Sequence, residues 1–353
     1  MEAFEKNIRR VEPYVPGEQP RQKVVKLNTN ENPYPPAPGV ERALRELDTA
    51  DFRLYPDPAC SVLVDAIADF YNVGKDQVFV GVGSDDVLSL CFLTFFNSDK
   101  PVFFPDITYS FYKVWAELYR IPYECKKVDE DFRIVKEDYY GANGGVIFPN
   151  PNAPTAIYEN LEFVEDILRH NRDVIVIVDE AYIDYAGPSA IELVDQYDNL
   201  IVTQTFSKSR SMAGMRIGYA IASPKLIRYL NDVKYSFNSY TLNRASLVCG
   251  AESVKDREYF EKTVAEIVGT RERTKERLAK MGFSFTDSSA NFLFVTHPEY
   301  DAGDMFRALK EAGIYVRWWD SDRIRQYMRI TVGTEEEMET LFAFLEQYMS
   351  KEN

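Results

Sequence analysis

Between about residues 40 and 250, short apolar runs alternate with amphipathic stretches. ERALREL (41–47) and SVLVDAIADFYNV (61–73) carry apolar residues at helical spacing, and DDVLSLCFLTFFN (85–97) reads as a strongly apolar helix. QVFVGVG (77–83) is a short strand running into a glycine turn. PVFFP (101–105), VIFPN (146–150), DVIVIVDEAY (173–182) and NLIVTQTF (199–206) are further β-rich runs, apolar on both faces. Such strands, alternating with helices, predict an α/β fold whose mostly parallel central sheet is covered on both sides. After residue 250 the texture changes. A long charged helix (256–282) is followed by strand ANFLFVT (290–296), helix GDMFRALKEAG (303–313), strands IYVRWW (314–319) and YMRITVG (327–333), and a last helix (335–349). The expected organisation is a large domain over 30–255, with residues 1–29 and 256–353 as an arm plus a smaller α+β domain. The arm is rich in Pro, Asn and charge, with at most one short helix near residues 2–10.

Length, 353 residues, agrees with about two domains. The formal charge is −15, from 41 basic against 56 acidic side chains. That makes nucleic acid or an anionic membrane a poor partner. Two histidines, His170 and His297, cannot build a His-rich metal site, and four cysteines at least 31 residues apart give no zinc spacing. The N-terminus lacks the apolar core of a secretory signal, so a cytoplasmic protein without a metal is expected. Any chemistry has to run on Lys, Tyr, Asp and Arg.

Three stretches carry that chemistry. VFVGVGSDDVLSL (78–90) ends a strand at glycines, with Ser84 and Asp85 opening a helix whose amides can hold an anion. The same turn is explained by Ser84 or Asp85 as an ordinary N-cap. DVIVIVDEAYIDY (173–185) places Asp179 and Glu180 at the carboxyl edge of the sheet, where open α/β sheets hold ligands. TQTFSKSRSMAGMRIGY (203–219) places Lys208 at another strand end among Phe206, Met212, Met215 and Ile217, with Arg216 eight residues on. A lysine so sheltered has its charged form disfavoured, as a Schiff-base lysine requires.

In order and spacing these pieces resemble the fold-type I pyridoxal-phosphate-dependent aminotransferases over nearly the whole chain, most closely the histidinol-phosphate aminotransferase family. The resemblance implies pyridoxal 5′-phosphate as cofactor and ping-pong transfer between L-histidinol phosphate and 2-oxoglutarate. Lys208 then matches the lysine that forms the imine and shuttles the proton, and Asp179 the partner of the pyridine nitrogen. Tyr182 of DEAY matches the group on the phenolic oxygen. Ser207, Arg216 and the amides of Ser84 and Asp85 match the phosphate site, and Tyr109 of ITYSFY the stacking aromatic. Tyr55 of LYPDP matches a tyrosine that reaches the neighbouring subunit's cofactor, which implies a homodimer. Arg329 and Arg317 match arginines for substrate anions, with Tyr34 and Asn32 of LNTNENPY in the segment that covers substrate. One motif departs: NPNAPTA (150–156) has Ala153 where the family has the asparagine on the phenolic oxygen, and Ala156 where it has glycine. Either Asn152 substitutes by a loop shift or Tyr182 works alone. Other substrates fit the same fold, among them an aromatic amino acid or a phosphorylated amino acid for decarboxylation. The contrasting class is a regulatory protein that keeps the fold without activity.

Overall fold

The computed structural model describes residues 4–351. Seven strands form the central sheet, in the spatial order Val78–Gly81, Gly218–Ala222, Leu200–Thr205, Val176–Asp179, Gly145–Pro149, Val102–Pro105 and Tyr123–Lys126. Side-chain alternation sorts its apolar residues between two cores. Val146, Phe148, Val176, Val178, Leu200 and Val202 enter one, while Ile147, Ile177 and Ile201 enter the other. Every residue of the inner strands is buried, which is why these runs lack polar positions.

Gly218–Ala222 alone runs antiparallel, to both its neighbours. The sequence reading did not anticipate this strand. The chain between it and Leu200–Thr205 is spent on the turn that carries Lys208 and Arg216, leaving no crossover helix to restore the parallel direction.

Beyond residue 280 a four-stranded antiparallel sheet follows the order Arg317–Trp318, Met328–Thr331, Phe292–Thr296, Ser284–Phe285. Met328 and Ile330 point into its core with Leu293, Val295 and Leu341. Arg329 and Thr331 therefore sit on the opposite face. IYVRWW is not one strand. Ile314–Tyr315 pairs in parallel with Val25–Lys26 of the N-terminal arm, and Arg317–Trp318 pairs with Met328–Thr331. The chain changes sheets at the buried Val316. The helix expected near residues 2–10 reduces, among the described residues, to one 3-10 turn at Glu5–Asn7. No helix of the described residues is long and apolar enough to cross a membrane.

Candidate active site

Parallel register brings the carboxyl ends of three strands together: Pro149 lies beside Asp179, and Asp179 beside Thr203. Over this edge lies a cavity of about 390 Å³, lined among others by Tyr109, Ala153, Tyr182, Lys208, Arg317, Trp319 and Arg329. Asp179 sits below it, buried, accepting from the Tyr112 hydroxyl at 2.7 Å and, at 3.4 Å, from Thr203 Oγ1. Burial pushes its carboxyl up to about 6, since no cation beside it repays the lost hydration. Lys208 Nζ donates to the Thr29 carbonyl at 3.0 Å. Its surroundings bring its amine down to about 8, first by desolvation and then by Arg329.

Arg329 reaches the cavity from the small sheet. Its NH2 donates to the Asn28 carbonyl at 2.9 Å, while its buried Nε has no partner. Arg329 and Arg317 both pack on Trp319, their guanidinium groups 5.3 and 5.4 Å from the indole centre. An unpartnered donor on a half-buried cation at a cavity wall suits an anion. Tyr109 donates its hydroxyl to Asp85 Oδ1 at 2.7 Å, and Arg216 NH2 meets Asp85 Oδ2 at 3.2 Å. Ser207 Oγ lies 3.5 Å from Arg216 NH1.

Two glycines make that corner narrow. A Cβ on Gly83, at φ +82°, would stand 2.6 Å from Arg216 NH2. A Cβ on Gly218 would stand 2.2 Å from the Ser84 amide nitrogen. Only glycine lets the Ser84 turn and Arg216 converge this closely. The helix begins at Gly83, so neither Ser84 nor Asp85 is its N-cap; Asp86 Oδ2 instead takes the Val82 N–H at 2.9 Å. The amides of Ser84 and Asp85 thus belong to the first turn, facing Arg216. The donor set fits pyridoxal phosphate: amides, Ser207 and Arg216 for a phosphate, Asp179 for a ring nitrogen, and Lys208 for an aldehyde.

The other expected residues fall elsewhere. Asn152 donates to the Ile107 carbonyl and accepts from Thr108 Oγ1, both at 2.9 Å, so its amide braces the loop before Tyr109. Ala153, not Asn152, lines the cavity. Ala156 occupies the left-handed region at φ 63°, the conformation for which a glycine is expected. Asn32 and Tyr34 do not line the cavity. Asn32 Nδ2 donates to the Ser209 carbonyl at 3.1 Å and its Oδ1 takes the Tyr34 N–H, which ties the arm to the lysine turn. Tyr55 is 78% exposed and stacks on Tyr240, away from its own chain's cavity. Neither histidine lines the cavity: His170 stacks on Tyr140 and His297 bonds the Met281 carbonyl.

Three residues at the site escaped the sequence reading. Tyr14 stacks on Phe111 at 4.2 Å; burial pushes its hydroxyl up while Arg317 and Arg329 pull it back. Trp319 lines the cavity and packs against both arginines. Asn30 Nδ2 donates to the Tyr182 hydroxyl at 2.9 Å. Tyr14 and Asn30 belong to an arm without periodicity, and only the adjacent arginine in IYVRWW drew notice to Trp319.

A strand-end lysine and aspartate with a glycine-walled arginine corner, on this mixed sheet, define a pyridoxal-phosphate-dependent aminotransferase scaffold. The sequence pattern of the aminotransferases of class I and II matches residues 22–345. The histidinol-phosphate aminotransferase of Clostridium botulinum (strain Okra / Type B1) is 48% identical over 353 residues, covering 99% of this chain and 100% of that one. That of Lactococcus lactis subsp. cremoris (strain MG1363) is 47% identical over 348 residues, 98% of each chain. Histidinol-phosphate aminotransferase from Sinorhizobium meliloti, solved in complex with pyridoxal-5′-phosphate, superposes with a TM-score of 0.84 at 23% identity, covering 94% of this chain and 93% of that one. The chain belongs to the class I and II aminotransferases and, within them, to the histidinol-phosphate aminotransferase family; it is a pyridoxal-phosphate-dependent enzyme.

Proposed function

We propose that the enzyme exchanges an amino group between L-histidinol phosphate and 2-oxoglutarate, yielding imidazole-acetol phosphate and glutamate. The observation that carries this reading is the pair Arg329 and Arg317, both packed on Trp319 and lining one cavity with Lys208. Two guanidinium groups suit a substrate phosphate and a dicarboxylate in turn, because each fork bonds a planar or tetrahedral anion through two donors. The names of the two relatives at 47–48% identity point to the same substrate.

When bound, pyridoxal phosphate supplies an electron sink for the charge that develops at the substrate carbon. Asp179, a buried carboxylate, would hold a proton at the ring nitrogen. Ser207, Arg216 and the amides of Ser84 and Asp85 would hold the phosphate. Tyr109 would stack on the ring, and Tyr182 would donate to the phenolic oxygen. Lys208 Nζ, neutral above about pH 8, would be the amine available to the cofactor's aldehyde and would be placed to hold the proton at the substrate carbon.

Kinetics with histidinol phosphate and with phenylalanine test the substrate. A kcat/KM clearly higher for histidinol phosphate is expected, and a preference for phenylalanine would overturn the reading. Arg317→Ala is expected to lower kcat/KM for histidinol phosphate by roughly 10–100-fold, the worth of a charge-assisted contact, while phenylalanine changes little. Equal losses on both substrates would remove Arg317 from phosphate binding.

The working unit we infer is a homodimer with shared sites. Two segments each expose three large apolar side chains: Phe52, Leu54 and Tyr55, and Tyr235, Phe237 and Tyr240. The Tyr55–Tyr240 stack and a bond from the Tyr235 hydroxyl to the Pro58 carbonyl join them into one patch, of the kind that marks an association surface. Co-expressed Lys208→Ala and Tyr55→Ala chains test it. A mixed dimer carries one intact site if Tyr55 serves the partner, so activity should exceed that of either variant alone. Activity no higher than the mean of the two parents would count against sharing.

A further inference from the structure

Ala153 leaves the wall beside Tyr182 without the side-chain amide that the motif otherwise supplies, so the direction of one hydroxyl proton matters. Asn30, Tyr182 and Thr331 are all buried. The Asn30 N–H donates to Thr331 Oγ1 at 3.0 Å, and Thr331 Oγ1 lies 3.1 Å from Asn30 Oδ1. With one lone pair of Oγ1 taken by the amide, the threonine proton goes to Oδ1 and fixes that atom as the acceptor end of the side chain. The donor end, Nδ2, is thereby aimed at the Tyr182 hydroxyl, 2.9 Å away. The backbone at Asn30 is held as well: its carbonyl accepts from Asn291 Nδ2 at 3.0 Å. Its φ of 56° lies in the left-handed region, which asparagine tolerates better than most residues.

Among the described residues no other hydrogen bond reaches the Tyr182 hydroxyl. Its oxygen accepts from Asn30, so its proton is directed away from Asn30. On that side lies the cavity, with Lys208 Nζ 5.7 Å from the tyrosine ring centre. We propose that Asn30, oriented by Thr331, is a positioning residue that turns the Tyr182 proton into the cavity and onto the cofactor's phenolic oxygen, making Tyr182 a sufficient donor without the amide absent at Ala153. This rests on the reading of Tyr182 given above.

The test is the pH midpoint of the visible absorbance of the cofactor-loaded protein. A donor on the phenolic oxygen draws its negative charge away from the neighbouring nitrogen, which then loses its proton at lower pH; removing the donor moves the midpoint upward. Asn30→Asp keeps size and backbone tolerance but can only accept, so the Tyr182 hydroxyl turns toward it. The new carboxylate adds a charge effect of its own, which the same substitution in a Tyr182→Phe background measures separately; Arg329, Asp179 and Asp85, the charges that already face Tyr182, stay constant. Tyr182→Phe is expected to raise the midpoint by about one unit, the worth of one charge-assisted hydrogen bond. Asn30→Asp should raise it by a similar amount more with Tyr182 present than with phenylalanine there. Thr331→Val should move it the same way, and Ala153→Asn should bring the Asn30→Asp protein back toward the parent. Equal shifts from Asn30→Asp in the two backgrounds would overturn the role of Asn30. No shift in Tyr182→Phe would overturn the placement of Tyr182 itself, and this proposal with it.

Discussion

Lys208→Ala is expected to lose turnover by about four orders of magnitude or more, since nucleophile and proton carrier vanish together. The cofactor's visible band should vanish with it. Lys208→Arg separates charge from nucleophilicity, because arginine keeps the cation but cannot become a free amine at neutral pH. Both variants should be comparably inactive; residual turnover by a pure Lys208→Ala protein would sink the assignment. The pH dependence has a definite sign. Above about pH 8 the amine of the cofactor-free protein is neutral, so capture of pyridoxal phosphate should accelerate as pH rises through 8. An unfolded lysine keeps its proton to about 10.5. Between those values the unfolded chain binds more protons, so the cofactor-free protein gains stability as pH rises. Lys208→Met should therefore be more heat-stable than the parent at pH 7, and a lower Tm would show that the amine is not under strain.

Asp179→Asn should lower kcat by roughly three orders of magnitude, because a neutral amide cannot hold the ring nitrogen's positive charge. A variant within tenfold of the parent would refute that role. The cofactor-free protein should respond in the opposite direction. Raising this carboxyl from 3.8 to about 6 represents roughly 3 kcal/mol of unfavourable ionisation. For a carboxyl whose folded value is raised, the stability is present below pH 3.8 and is lost as pH rises through 6. At pH 7.5 the asparagine protein should melt higher, provided the Tyr112 contact survives. Cofactor should then stabilise the parent more than the variant, since only the parent has a buried charge to neutralise. Lys208 and Asp179 thus share one design: each is costly in the empty protein and useful once its counterpart arrives.

Much of this site can be read along the chain. Asp179 and Lys208 each follow an apolar run that has only one stable place, the interior of a covered sheet. Their position at its carboxyl edge follows from the parallel order. Arg329 stands out as a charge within an apolar strand, and alternation puts it opposite the core formed by Met328 and Ile330. The arm is different. LNTNENPY has no period, and nothing in it tells Asn30, which bonds Tyr182, from Asn32, which bonds Ser209. The same limit governs Asn152, a polar residue in a motif, which serves the Ile107–Thr108 backbone and side chain rather than the cavity.

Five of the seven central strands, the strand ends that carry Lys208 and Asp179, and the family are legible along the chain, because apolar periodicity and strand-end chemistry are local and survive without knowledge of contacts. Only the tertiary structure decided which carbonyls and hydroxyls of residues 28–30 meet Arg329, Lys208, Tyr182 and Thr331. Those bonds join residues 152 to 301 positions apart. A hydrogen bond is set by distance and direction within a few tenths of an ångström, and no local pattern encodes that.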